Sequence, residues 1–100
     1  MSNGIFVTII FSLKPGAAEQ LISVMPGMFA ETRTKQGFRS IKAIRSHEDP
    51  NRIFVLQEWN SVEEYQTYFA WRNARNEGFA DMEAMLAAPP VFDIWDQQVA

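Results

Sequence analysis

The sequence predicts an α+β protein of ferredoxin-like β-α-β-β-α-β order, a four-stranded antiparallel sheet with its helices on one face. Three observations carry that prediction. Residues 5–13 and 53–59 are rich in β-branched and aromatic side chains on both alternating faces, as in strands with both faces to bury. Two longer stretches repeat apolar residues at three- and four-residue steps, the period of an amphipathic helix. Turn-forming residues separate these segments, at Lys14-Pro15-Gly16, Gly37, Glu48-Asp49-Pro50-Asn51 and Pro89-Pro90. One hundred residues is a single domain's worth of chain, so residues 1–100 are read as one domain.

The first strand covers 5–13 and closes at Lys14-Pro15-Gly16. Ala18, Leu21, Ile22, Met25, Met28, Phe29 and Thr32 then mark one face of a helix from Ala17 to about residue 34. Pro26 has no N–H to offer the Ile22 carbonyl, so a kink or break is expected at Pro26-Gly27. Residues 38–47 mix apolar and basic side chains and lead through a polar turn into 53–59, a β-hairpin. Ser61 and Glu64 have the spacing of a capping box. Val62, Tyr65 and Phe69 continue one helical face until Gly78, and Phe79, Met82, Met85 and Leu86 form a second short stripe stopped by Pro89-Pro90. Val91, Phe92, Ile94 and Trp95 supply the apolar side chains of a last strand over 91–96.

Apolar residues make up 47% of the chain and charged residues 21%, a balance that folds. Nine Lys and Arg against twelve Asp and Glu give a net charge of -3. The basic residues are dispersed, so nucleic-acid binding is not expected. Zero cysteines exclude disulfides, iron–sulfur clusters and thiolate zinc sites. The single histidine, His47, excludes two-histidine metal sites within one chain. The first residues lack the positive region of a signal peptide, and no apolar run approaches the roughly 20 residues that span a bilayer. A cytoplasmic protein without membrane association is expected.

Alternation also predicts a partner. In the third strand Ile53, Val55 and Trp59 face one way and Phe54 and Leu56 the other. In the first, Ile5, Val7, Ile9, Phe11 and Leu13 oppose Phe6 and Ile10, with Thr8 and Ser12 as polar exceptions. Helices of this length cover one face of a four-stranded sheet, leaving a second apolar face to be covered. A second copy packed sheet to sheet about a two-fold axis is the simplest cover, giving a homodimer. A ligand or a different protein are the other candidates.

The order of elements, the opening Phe6-Val7-Thr8-Ile9 leading to Leu13-Lys14-Pro15-Gly16, the Gly37-Phe38 start of the second strand and the stretch Gln57-Glu58-Trp59-Asn60-Ser61-Val62-Glu63-Glu64-Tyr65 together resemble the antibiotic biosynthesis monooxygenase domain. The resemblance spans nearly the whole chain. It implies a dimeric α+β barrel with a pocket between the sheet and helices of each subunit. In the best-understood members it implies oxygenation of quinol-like polycyclic aromatics without metal or flavin, the deprotonated substrate itself reducing dioxygen. A haem-degrading branch of the family uses a helical axial His, a neighbouring Trp and a first-strand Asn. Here the first strand offers Val7, Thr8 and Ile9, and no histidine follows His47. Haem chemistry is therefore not expected, and no cofactor is.

On a helical wheel whose core direction is set by Val62, Tyr65 and Phe69, Tyr68 and Arg72 share one shoulder as i, i+4 neighbours, and Trp71 lies nearly opposite. A cofactor-free oxygenase needs a hydrogen-bonding group to orient a phenol and a fixed positive charge to favour the phenolate and developing superoxide. Tyr68 and Arg72 suit those catalytic roles, or they form a pair edging the core. Trp59, Tyr65 and Phe69 are core residues or the aromatic wall of a substrate site. Trp71 is expected to pack on the 79–86 helix or a partner subunit, or to touch substrate. His47 is either a general base or a solvated hairpin-tip residue. Arg39, Lys42 and Arg45 make no clean basic face and fit a solvated edge or inter-subunit ion pairs. The methionines are core filler or a pliable pocket. Two function classes remain open: a cofactor-free monooxygenase acting on a small aromatic or quinol with O2, and a non-catalytic homodimeric module that binds a small apolar metabolite or serves in a stress response.

Overall fold

A computed structural model describes residues 4–75, 79–96 and 98–100, with the side chains of 79–81 left undescribed. The elements follow the predicted order: β1 (Ile5–Ser12), α1 (Ala17–Thr32), β2 (Phe38–Arg45), β3 (Arg52–Trp59), α2 (Val62–Arg75), α3 (Phe79–Met85) and β4 (Val91–Trp95). The strands form one sheet in the order β2-β3-β1-β4, each pairing antiparallel to its neighbour. The expected helix break at Gly78 lies outside the described residues.

Strand alternation sorts the sheet into two faces. Ile5, Val7 and Ile9 of β1 and Ile53, Val55, Gln57 and Trp59 of β3 are buried under the helices. Phe6, Ile10, Phe54 and Leu56 point to the other face and are half-buried. That face also carries Ile44, Val91 and Trp95, about half exposed at 49%, 51% and 53%. The two-sided apolar sheet read from the sequence is present, with one face open in the single chain.

The α1 helix runs unbroken through Pro26-Gly27. Both residues are exposed, so the donor that proline removes is lost on the solvent side, while Leu21 and Met25 hold the other side in the core. The helix ends at Thr32, and the Thr34 amide folds back to the Glu31 carbonyl at 3.1 Å, short of the expected end near residue 34. Strand β2 contains an irregularity between Phe38 and Ser40. Phe38 and Ile41 are three apart and both pack on the core, and an extra residue, Arg39, reconciles that spacing with the two-residue period of a strand. Phe38 thereby meets Trp59 edge to face, ring centroids 5.6 Å apart.

At the start of α2 the Ser61 hydroxyl accepts from the Glu64 amide at 3.2 Å and donates to the Glu64 carboxylate at 2.9 Å. The cap is present, with the glutamate bonding the serine hydroxyl rather than the backbone. Gly37 has φ +86 and lies directly under Glu64, where a Cβ would sit 2.5 Å from the glutamate Cδ. Any side chain at 37 would push the α1–β2 loop off the helix start.

Candidate functional site

The indole of Trp59, wholly buried at the end of β3, donates to Gln57 Oε1 at 2.8 Å. Gln57 is two residues away, hence on the same face, and gives the buried N–H the partner it needs. Around Trp59 stand Tyr65 at 5.8 Å and Tyr68 at 4.9 Å between centroids, and Phe69 continues from Tyr65 at 5.9 Å to Phe92 of β4 at 5.5 Å. Burial pushes the Tyr65 phenol up to about 12 from its ordinary 10.0, with a smaller contribution from Tyr68. Trp59, Tyr65 and Phe69 thus join β3, α2 and β4 as one aromatic cluster.

The predicted Tyr68–Arg72 pair exists, but it faces inward. Tyr65 and Tyr68 are the buried residues of α2. Their mean direction is rotated by roughly 60° from the one that Val62, Tyr65 and Phe69 define, and it brings Arg72 onto the core side. The same rotation overturns the placement of Trp71 opposite the core. Trp71 instead lies on the flank of α2, half-buried, with Lys35 Nζ 3.5 Å from its ring centroid and the Arg72 and Arg75 guanidinium carbons at 4.9 and 4.8 Å. Three cations thus lie against its ring.

Arg72 is engaged on every side. Its Nε donates to Tyr68 Oη at 3.4 Å, Nη2 to the Met28 carbonyl at 3.1 Å and to Thr32 Oγ1 at 3.2 Å, and Nη1 to Glu31 Oε1 at 3.1 Å. The Thr32 hydroxyl, 1% exposed, donates to the Met28 carbonyl at 3.0 Å, which fixes the remaining proton. Tyr68 must therefore donate to Thr32 Oγ1, 3.1 Å away, while accepting from Arg72. Arg75 binds the other Glu31 oxygen. The two guanidinium groups hold the Glu31 carboxyl below its ordinary value, the hydrogen bond from Arg75 contributing most and that from Arg72 next. This network ties the last turn of α1 to α2.

The space between sheet and helices, where the family resemblance puts a pocket, is filled by Trp59, Leu21, Ile53, Val7 and Thr32. A cleft of about 310 Å³ lies instead on the outer side of α2, lined by Lys35, Gln36, Glu63, Glu64, Thr67, Tyr68 and Trp71. It brings together two of the residues singled out from sequence, Tyr68 and Trp71. It adds Lys35, which sequence reasoning missed because the residue follows the helix end without a motif of its own. Among the described residues no three His, Asp or Glu side chains cluster as a metal site would require. His47 is exposed at the β2–β3 hairpin tip and is not among the residues that line this cleft. Arg39 and Arg45 make ion pairs within the chain, to Glu58 at 3.2 Å and Glu19 at 2.6 Å, rather than a basic face. Asn60 shapes the strand-to-helix turn, its amide donating to the Gly37 carbonyl at 2.7 Å and its side chain accepting from Arg39. Met25 and Met85 are core residues.

Among the described residues no helix is long and apolar enough to cross a membrane. In sequence, the chain matches no curated protein. Its fold is shared with solved structures at low identity. A Caulobacter crescentus protein, provisionally named an antibiotic biosynthesis monooxygenase, is 19% identical with a TM-score of 0.83, over 97% of this chain and 92% of that one. A Mycobacterium tuberculosis protein is 18% identical with a TM-score of 0.80, over 97% of each chain. A Nitrosomonas europaea protein of unknown function is 15% identical with a TM-score of 0.79, over 97% of this chain and 91% of that one. The model of one family, antibiotic biosynthesis monooxygenase, matches residues 4–77, most of the chain and every element from β1 through α2. The chain belongs to the antibiotic biosynthesis monooxygenase family.

Proposed function

We propose that this chain is a cytoplasmic, homodimeric, cofactor-independent monooxygenase that acts on a small aromatic or quinol substrate with O2. The observation that carries the reading is the cleft beside α2, where Tyr68 and Trp71 offer aromatic surface and Lys35 stands 3.5 Å from the Trp71 ring centroid. A phenol bound beside that ring meets fixed positive charge, which favours its phenolate and the superoxide formed when the phenolate reduces dioxygen. For an anthrone-like methylene, one oxygen atom becomes a carbonyl and the other leaves as water with the two methylene hydrogens, so no external reductant is consumed. Arg72 and Tyr68 serve as the catalytic pair, Arg72 as the positive charge behind the Tyr68 phenol. Trp71 binds substrate, and Trp59, Tyr65 and Phe69 back it as an aromatic wall. The open sheet face takes the second subunit, since Phe6, Ile10, Phe54 and Leu56 would otherwise remain in water.

One observation favours a second reading, a binding module without turnover. The polar atoms of Tyr68 and Arg72 are already consumed by Thr32, Met28 and Glu31. Titration of the 15N-labelled protein with hydroquinones and anthrone-like phenols locates the ligand. The monooxygenase and module readings both expect shifts at Lys35, Gln36, Thr67 and the Trp71 indole. Shifts confined to the sheet face would move the site away from the cleft.

A further inference from the structure

The cleft beside α2 differs at its two ends. Lys35 Nζ rests 3.5 Å from the Trp71 ring centroid at one end, while Glu63 and Glu64 line the other. Glu63, Thr67 and Trp71 follow one another at steps of four residues and so lie along one line of the helix. At the helical rise, Glu63 and Trp71 stand about 12 Å apart along the axis. With its ammonium held at Trp71, Lys35 does not pair with Glu63, and neither residue forms an ion pair among the described residues.

The polar groups that α2 offers to the cleft are acceptors. The Thr67 hydroxyl donates its proton to the Glu63 carbonyl at 2.9 Å, so it has only lone pairs left for a ligand. The Glu64 carboxylate already accepts from Ser61 at 2.9 Å and lies over Gly37. The Tyr68 hydroxyl is spent on Thr32. That leaves the Glu63 carboxylate, exposed and without a hydrogen-bond donor among the described residues. A cleft of about 310 Å³ is at the small end of ligand sites, so a compact aromatic placed in it lies between the lysine and the glutamate.

We propose that Glu63 is a specificity-determining residue of this cleft. It accepts a hydrogen bond from a hydroxyl or amino group at the far end of an aromatic ligand whose phenolate end lies at Lys35, and it turns away ligands that carry a carboxylate there. The proposal rests on the cleft reading above and adds a rule for the end of the ligand remote from Lys35. A negative acceptor strengthens a donated hydrogen bond and opposes a second negative charge at the same point.

Anaerobic titration of the 15N-labelled protein with four para-substituted phenols tests it, following the Trp71 indole and the Thr67 amide: hydroquinone, para-aminophenol, para-cresol and para-hydroxybenzoate. Para-cresol has nearly the shape of hydroquinone but no second donor. Wild type, Glu63→Gln and Glu63→Ala are compared, with circular dichroism as the check on folding. The wild type should bind hydroquinone and para-aminophenol about fivefold more tightly than para-cresol, and para-hydroxybenzoate most weakly. Glu63→Gln keeps an acceptor and loses the charge, so it should retain the preference over para-cresol while gaining about fivefold in affinity for para-hydroxybenzoate. Glu63→Ala should erase the preference over para-cresol. Cleft shifts with equal affinity for hydroquinone and para-cresol, or preferences that neither variant alters, overturn the role of Glu63 and leave the cleft reading standing. An absence of cleft shifts with all four phenols overturns both.

Discussion

The Tyr68 hydroxyl stands 3.1 Å from the Thr32 hydroxyl, and Arg72 closes the triangle by donating to both. Two neighbouring helices are thus joined through three side chains and one backbone carbonyl, that of Met28. The pair proposed to carry the chemistry is therefore also the fastening of α1 to α2, and a substitution there acts on stability as well as on turnover.

Thr32→Val keeps the shape of the side chain and removes its oxygen. It leaves the Tyr68 hydroxyl without its acceptor and one Arg72 N–H without a partner, in a site that is 1% exposed at Thr32. Loss of about 1 to 3 kcal/mol in urea unfolding is expected, against about 1 kcal/mol for Tyr68→Phe. Equal stability of Thr32→Val and the wild type would show that the triangle contributes nothing.

Glu31 gives the fold an acid limb. Two guanidinium groups hold its carboxyl below the ordinary value of 4.5, so its contribution is complete above that pH and is lost as pH falls through the lower folded value. Replacing it in Glu31→Gln should flatten the acid side of the stability profile and leave the neutral-to-alkaline side parallel to the wild type. Unfolding midpoints recorded from neutral pH downward measure this. An unchanged acid limb would remove Glu31 from it.

Tyr65 sets an alkaline limb by the same linkage with the opposite sense. Its folded value of about 12 lies above the ordinary 10.0, so its neutral form stabilises the fold fully below pH 10. That contribution is lost as pH rises toward 12. The tyrosinate absorbance should show a late ionisation step, and Tyr65→Phe should remove it.

Much of this fold is legible in the residues because strand and helix periods are local. The order of elements, the two-sided strands and the Ser61–Glu64 cap all follow from spacing alone. The site was harder to read for a geometric reason. Val62 and Phe69 lie on the edge of the buried stripe of α2, and taking them as its centre turned the wheel so that Trp71 faced solvent. Its true centre, between Tyr65 and Tyr68, is set by Trp59 on β3, a contact that no spacing within α2 reveals. Phe38 and Ile41 did carry a local signal, since two core residues three apart in a strand require an inserted residue. Pro26 misled because a proline's cost depends on which side of the helix loses the donor, and here that side is exposed. Lys35 gains its place only once the loop after α1 folds against Trp71.

Oxygen consumption by the purified, metal-stripped protein across hydroquinones and anthrone-like phenols tests the proposed activity most directly. Wild type, Tyr68→Phe, Lys35→Gln and boiled protein are compared. The account predicts uptake above autoxidation with at least one substrate, retained after metal removal, abolished by boiling and reduced by about tenfold or more in Lys35→Gln, where the charge beside Trp71 is lost. Ligand-induced shifts at the cleft without uptake on any substrate would contradict the monooxygenase assignment and leave a binding protein.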